Sequence, residues 1–122
     1  MAVINPTIEK LGGNEDAVKY TWVLANTDTG SPVRNVQWAD RSVQVSGTFG
    51  TGGSVNWEGS NNESTYIVLT DPQGNAIAMT TARIEAVTEI TALARPNVTA
   101  GDGTTALTVV LVARRAQQLQ NR

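Results

Sequence analysis

The chain of 122 residues contains neither cysteine nor histidine. The first absence removes disulfides, thiolate metal sites and thiol nucleophiles. The second removes the Ser-His-Asp triad, the usual zinc catalytic sites and imidazole acid–base relays. Charge is sparse, at 16% of residues, and lysine occurs only at Lys10 and Lys19. With a formal net charge of -2, no broad nucleic-acid-binding face is expected, and no nucleic-acid partner. Long apolar runs are missing too. The longest, Val109-Val110-Leu111-Val112-Ala113, has five residues, where a membrane span needs about twenty. Residues 1–13 lack a basic start followed by an apolar stretch, so neither a signal peptide nor a membrane partner is expected.

What the sequence does have is threonine, valine and regularly spaced turn residues. These favour strands over helices. Period-2 alternation places Val18, Tyr20, Trp22 and Leu24 on one face of a strand, and Val43 and Val45 on another, leading to Phe49. Val55 and Trp57 alternate with Asn56 and Glu58. Shorter strands are expected within residues 33–38, 66–70 and 76–80, with weaker alternation over 84–93. Residues 107–113 are apolar on both faces, as in a central strand. Turn chemistry at Asp28-Thr29-Gly30, Gly50-Thr51-Gly52-Gly53, Gly59-Ser60-Asn61-Asn62, Asp71-Pro72-Gln73-Gly74 and Gly101-Asp102-Gly103 separates these runs. The expected fold is all-β: a jelly-roll-like β-sandwich of about seven to nine short antiparallel strands. Residues 1–16 read as an extended N-terminal arm, 17–113 as the sandwich domain and 114–122 as a polar C-terminal tail.

Each candidate for chemistry competes with a plainer role. Residues 49–54 are glycine-rich, but no lysine and no helix follow, so a hairpin turn is expected and not a phosphate cradle. Glu58, Glu63, Asp71 and Asp102 could form a glycosidase pair. They sit in turns or on the outward face of a strand, where solvated acids are expected. Asn61, Asn62, Glu63 and Asp71, or Asp102 with Thr104, offer oxygen ligands without the spacing of a calcium loop. Asn and Asp have their own reason to occupy turns. Trp22 and Trp57 belong to core faces, whereas Trp38, beside Asp40-Arg41 near a strand end, is a candidate surface contact. No catalytic residue, metal or cofactor is expected, and no enzyme.

From Ala39 onward the text resembles the head decoration, or cement, proteins of short-tailed bacteriophages, such as that of the Bordetella tropism-switching phage. The phrases that carry the resemblance are DRSVQVSGTF (residues 40–49), WEGSN (57–61) and RPNVTAG (95–101), and it extends to about Arg114. It implies a structural virion protein on the outer surface of the capsid, bridging capsomers, with the major capsid protein as partner. It also implies self-association, a homodimer before a trimer. The arm carries Val3, Ile4, Pro6, Ile8 and Leu11, which together with Trp38 are the candidate interface residues. Strand addition to a neighbour would use them; the alternative is an ordinary edge strand of the arm's own domain. The competing readings are a carbohydrate- or receptor-binding module of a fibre, and a tail or baseplate protein.

Overall fold

A computed structural model describes residues 2–11 and 16–115, and every regular element within them is a strand. In chain order these are β1 (Val3–Ile4), β2 (Thr7–Leu11), β3 (Ala17–Ala25), β4 (Thr29–Gly30), β5 (Val33–Arg34), β6 (Asp40–Thr48), β7 (Ser54–Ser60), β8 (Ile67–Val68), β9 (Ala78–Met79), β10 (Arg83–Ala86), β11 (Leu93–Ala100) and β12 (Ala106–Arg114). Five of the twelve have only two residues, because the runs that alternate briefly lie where the chain turns between sheets. The 84–93 run divides: β10 ends at Ala86, a loop follows, and β11 opens at Leu93.

Two sheets result. One has the order β10-β6-β12-β3-β2; the other is β1-β4-β11-β7-β8, with β5 also on β11 and β9 also on β7. From β3 onward, the chain crosses repeatedly from one sheet to the other, staying in one sheet only from β4 to β5 and from β7 through β8 to β9. The row β3-β12-β6-β10 therefore faces β4/β5-β11-β7-β8/β9, the two four-strand layers of a jelly roll. β12 is the middle strand of its sheet. It pairs along its whole length with β3 on one side and β6 on the other. Its inward residues Leu107, Val109, Leu111 and Ala113 are fully buried. Residues 49–54 do not form the expected hairpin, because β6 and β7 lie in different sheets and the glycines carry the chain across the gap. Gly50 turns this corner with φ of 74°, a left-handed conformation that favours glycine.

The inward faces meet over Trp22 from β3 and Trp57 from β7, both fully buried, with ring centroids 5.8 Å apart in an edge-to-face pair. The Trp22 indole N–H donates to the Ser31 carbonyl at 3.1 Å, so its one polar group is satisfied. Gly30 lets β4 pass over this ring; a Cβ there would strike Trp22 and Pro96.

The first segment is extended, as expected, but it is held by its own domain. β2 is an antiparallel edge strand on β3, with Ile8 opposite Tyr20 and Leu11 opposite Ala17. β1 runs parallel to β4 in the other sheet, with Val3 opposite Thr29 and Ile4 opposite Gly30, a departure from the all-antiparallel expectation. The segment thus reaches both sheets along one flank. The alternation test missed it because an edge strand is secured by backbone hydrogen bonds more than by side-chain burial. Arg114 closes β12; residues 116–122 of the expected tail lie outside the described residues.

Candidate interaction surface

The candidate interface residues divide into two groups. Val3 and Ile8 are 68% and 61% exposed, on the flank where β1 and β2 run. Ile4, on the same flank, packs against the core, and Pro6 and Leu11 are half-buried. Trp38 is not with them. It is 8% exposed and belongs to the core, with the Arg115 guanidinium 5.5 Å from its ring centroid. Its position was misread because a polar flank, Asp40-Arg41, looks like surface. Arg41 is itself buried, donating from Nη2 to the Glu89 carbonyl at 2.9 Å, and burial pushes its pKa down.

Two of the four acids, Glu58 and Asp71, are not the solvated groups that their positions suggested. Glu58 does lie on the outward face of β7, yet it is 7% exposed. It accepts hydrogen bonds from Arg95 Nε at 3.0 Å and from Asn97 Nδ2 at 3.1 Å, and the Arg95 guanidinium lies 3.8 Å from the centroid of the Tyr66 ring. This network covers the carboxylate. Asp71 is also buried: its Oδ1 accepts from the amides of Gln73 and Asn75, and Arg83 lies 3.7 Å from Oδ2. Glu63 forms an exposed pair with Arg34 at 3.4 Å.

Apart from Glu63, which pairs with Arg34, the loop side chains considered as calcium ligands at Asn61, Asn62, Asp71 and Asp102 accept from backbone amides. Asn62 Oδ1 accepts from the amides of Ser64 and Thr65, and Asn61 Oδ1 from that of Ala92. Asp102 ties two loops together, accepting from the Thr51 amide at 2.8 Å and from the amide and hydroxyl of Thr104. These bonds, that of the Thr104 hydroxyl foremost, hold its carboxyl well below the usual carboxylate range. Among the described residues no three metal-ligating side chains of the His, Cys, Asp or Glu type converge. These carboxylates brace turns and strands, an arrangement that builds surfaces.

One surface that the candidate list missed is the outward face of the β10-β6-β12-β3-β2 sheet. Val110 and Val112 of β12, Val23 of β3 and Ile84 of β10 all point outward there. The signal was present in the apolar character of both faces of residues 107–113.

No family model matches the chain, and no curated protein matches it either. Solved structures do. The SPBc2 prophage-derived protein YomS is similar with a TM-score of 0.64 at 13% identity, over 80% of this chain and 92% of that one. The cysteine peptidase Peruvianin-I from Thevetia peruviana latex is similar with a TM-score of 0.50 at 16% identity, over 93% of this chain and 63% of that one. At such identities the likeness establishes the all-β sandwich fold and nothing finer.

Proposed function

We propose that the protein is a capsid decoration protein that binds the outside of a tailed-phage head and braces contacts between capsomers. Its partner is the major capsid protein; no cofactor, nucleic acid or membrane takes part. The observation that carries this reading is the resemblance over residues 39–114. Its three phrases fall on β6, β7 and β11, the framework of the sandwich. The similar fold of a prophage-derived protein supports the same phage setting. The chemistry agrees: the acids are spent on bracing, and a cement protein needs a stable surface repeated many times. Weak contacts repeated with the symmetry of a shell add up to tight binding.

The flank of β1 and β2 offers the contact, through the exposed Val3 and Ile8. Neither side chain is needed by the core, so both are free to pack on a partner. The test is to add the pure protein back to heads stripped of their decoration. Saturable binding that raises the heat resistance of the heads is expected, and Val3→Asp with Ile8→Asp should weaken it while leaving the β spectrum unchanged. Binding to tails or to a polysaccharide in place of heads would overturn the reading.

A further inference from the structure

We infer that the fold encloses a binding site for a small monovalent anion of the halide class, formed by Arg41, Trp38 and Asn35. Seven buried side-chain atoms among the described residues have no hydrogen-bond partner, and five of them belong to these three residues. They are Arg41 Nε and Nη1, Trp38 Nε1, and Asn35 Nδ2 and Oδ1. Buried polar groups are rarely left so. The other two, Asn26 Oδ1 and Trp57 Nε1, come from the turn after β3 and from β7.

One loop ties the three residues together. At one end of residues 87–92 the Val87 amide donates to the Arg41 carbonyl at 3.0 Å; at the other the Asn35 amide donates to the Ala92 carbonyl at 3.4 Å. Between them the Glu89 carbonyl accepts from Arg41 Nη2. The Trp38 amide donates to the Asn35 carbonyl at 3.1 Å, closing a turn just before β6 begins. Arg41 faces inward from β6, in step with Val43 and Val45, and lies opposite Ala113 of β12. Asn35 is fully buried and Arg41 nearly so.

The sign and size of the ligand follow from these groups. Four of the five unpaired atoms are nitrogens that donate and cannot accept. The Arg41 guanidinium stays protonated at neutral pH, and a buried charge with no counter-charge is costly. Among the described residues no carboxylate pairs with it. The Glu89 carboxylate accepts instead from the Thr70 amide, and Asp40 pairs with Arg114. The Arg115 guanidinium, 5.5 Å from the Trp38 ring centroid, adds to the positive potential at this end of the sandwich. Water would satisfy the donors but not the charge. One negative charge balances one arginine, whereas a divalent oxyanion would leave an excess. A halide accepts from any direction, which suits donors from three side chains, and its size suits atoms closed off from solvent. The ion is a structural part of the fold, and the inference stands independently of the capsid reading.

Thermal melting of the full chain tests it, with chloride or bromide replacing gluconate at constant ionic strength. A ligand that binds only the folded state raises Tm with its concentration. The wild type should gain several degrees, rising with the logarithm of halide concentration. Arg41→Met replaces the buried charge by an apolar chain. It should melt at one temperature in either salt and, in gluconate, no lower than the wild type. Trp38→Phe keeps the charge and most of the ring but removes one donor, so about tenfold more bromide should be needed for the same rise. Lys19→Gln, on the outward face of β3, should respond as the wild type does. In crystals containing bromide, anomalous scattering should place an ion against Arg41 Nε or Nη1. A wild-type Tm that ignores halide, or an Arg41→Met protein that still responds, would overturn the inference. Bromide bound only at exposed side chains would do so even if Arg41→Met fails to fold. A larger rise in acetate than in bromide would overturn the choice of a halide, and a Trp38→Phe protein indistinguishable from the wild type would remove Trp38 from the site.

Discussion

Trp22 and Trp57 each come from a different sheet and meet edge to face in the middle of the sandwich. Removing either ring leaves a cavity that flanking strands cannot close, since their backbones are fixed by neighbours on both sides. Trp22→Ala or Trp57→Ala should therefore cost about 3–5 kcal/mol, read as a lower urea midpoint with an unchanged slope. Asp102 acts differently, through hydrogen bonds and not through burial. Its folded pKa is depressed, so its ionised form contributes stability at neutral pH. That contribution is present above the unfolded carboxylate pKa and is lost as pH falls from there through the folded value. Tm should drop through the acid range in the wild type, and part of that drop should vanish in Asp102→Asn, whose Tm at neutral pH is already lowered. The tryptophans were legible in the sequence because each shares an alternating face with other apolar residues. Glu58 and Asp71 were not. Their burial depends on groups contributed from elsewhere in the chain, Arg95 and Asn97 for one and Arg83 for the other, and no local pattern encodes such a partner.

Strands are legible from sequence in proportion to how differently their two faces are treated. β3 and β6 each bury one face and alternate cleanly, and the expected runs matched them; β12 also buries one face, but its run is apolar on both and was legible as a central strand by that character. β2 shows the opposite case. Its neighbour is a single strand, little of it is covered, and its residues Thr7, Ile8, Glu9 and Lys10 are all exposed. Its place comes from five residues of backbone pairing with β3. Removing residues 2–11 exposes the edge of β3, whose outward residues include Val23, and strips Ile4 from the core. The sandwich would keep its eight-strand jelly roll but gain an unpaired edge, a template for association with other chains. The truncated protein should retain a β spectrum, melt at lower temperature and form aggregates that scatter light. A truncated chain with the full Tm and no aggregation would show that β1 and β2 contribute nothing to their own domain.

At the scale of the whole molecule, the turn spacing made the sandwich legible, while the pairing that makes it a jelly roll is a property of distant residues. β3 opens the body and β12 closes it, yet they lie side by side, with Ala17 opposite Arg114. β12 also separates β3 from β6, so the sheet has no continuous core until the last strand arrives. Such non-local pairing must close a large loop before it gains any contact, and chains built this way fold in milliseconds to seconds and not in microseconds. The expectation is a single slow refolding phase in that range, after dilution from urea, with tryptophan emission and the β spectrum changing together. Because Leu107, Val109, Leu111 and Ala113 are all fully buried, a chain ending at residue 105 loses the middle of one sheet and leaves β3 and β6 each with an open edge. That chain should show no cooperative melting transition. If it melts cooperatively near the wild-type temperature, β3 and β6 can pair without β12, and the order in which the sheet is assembled is different from the one argued here.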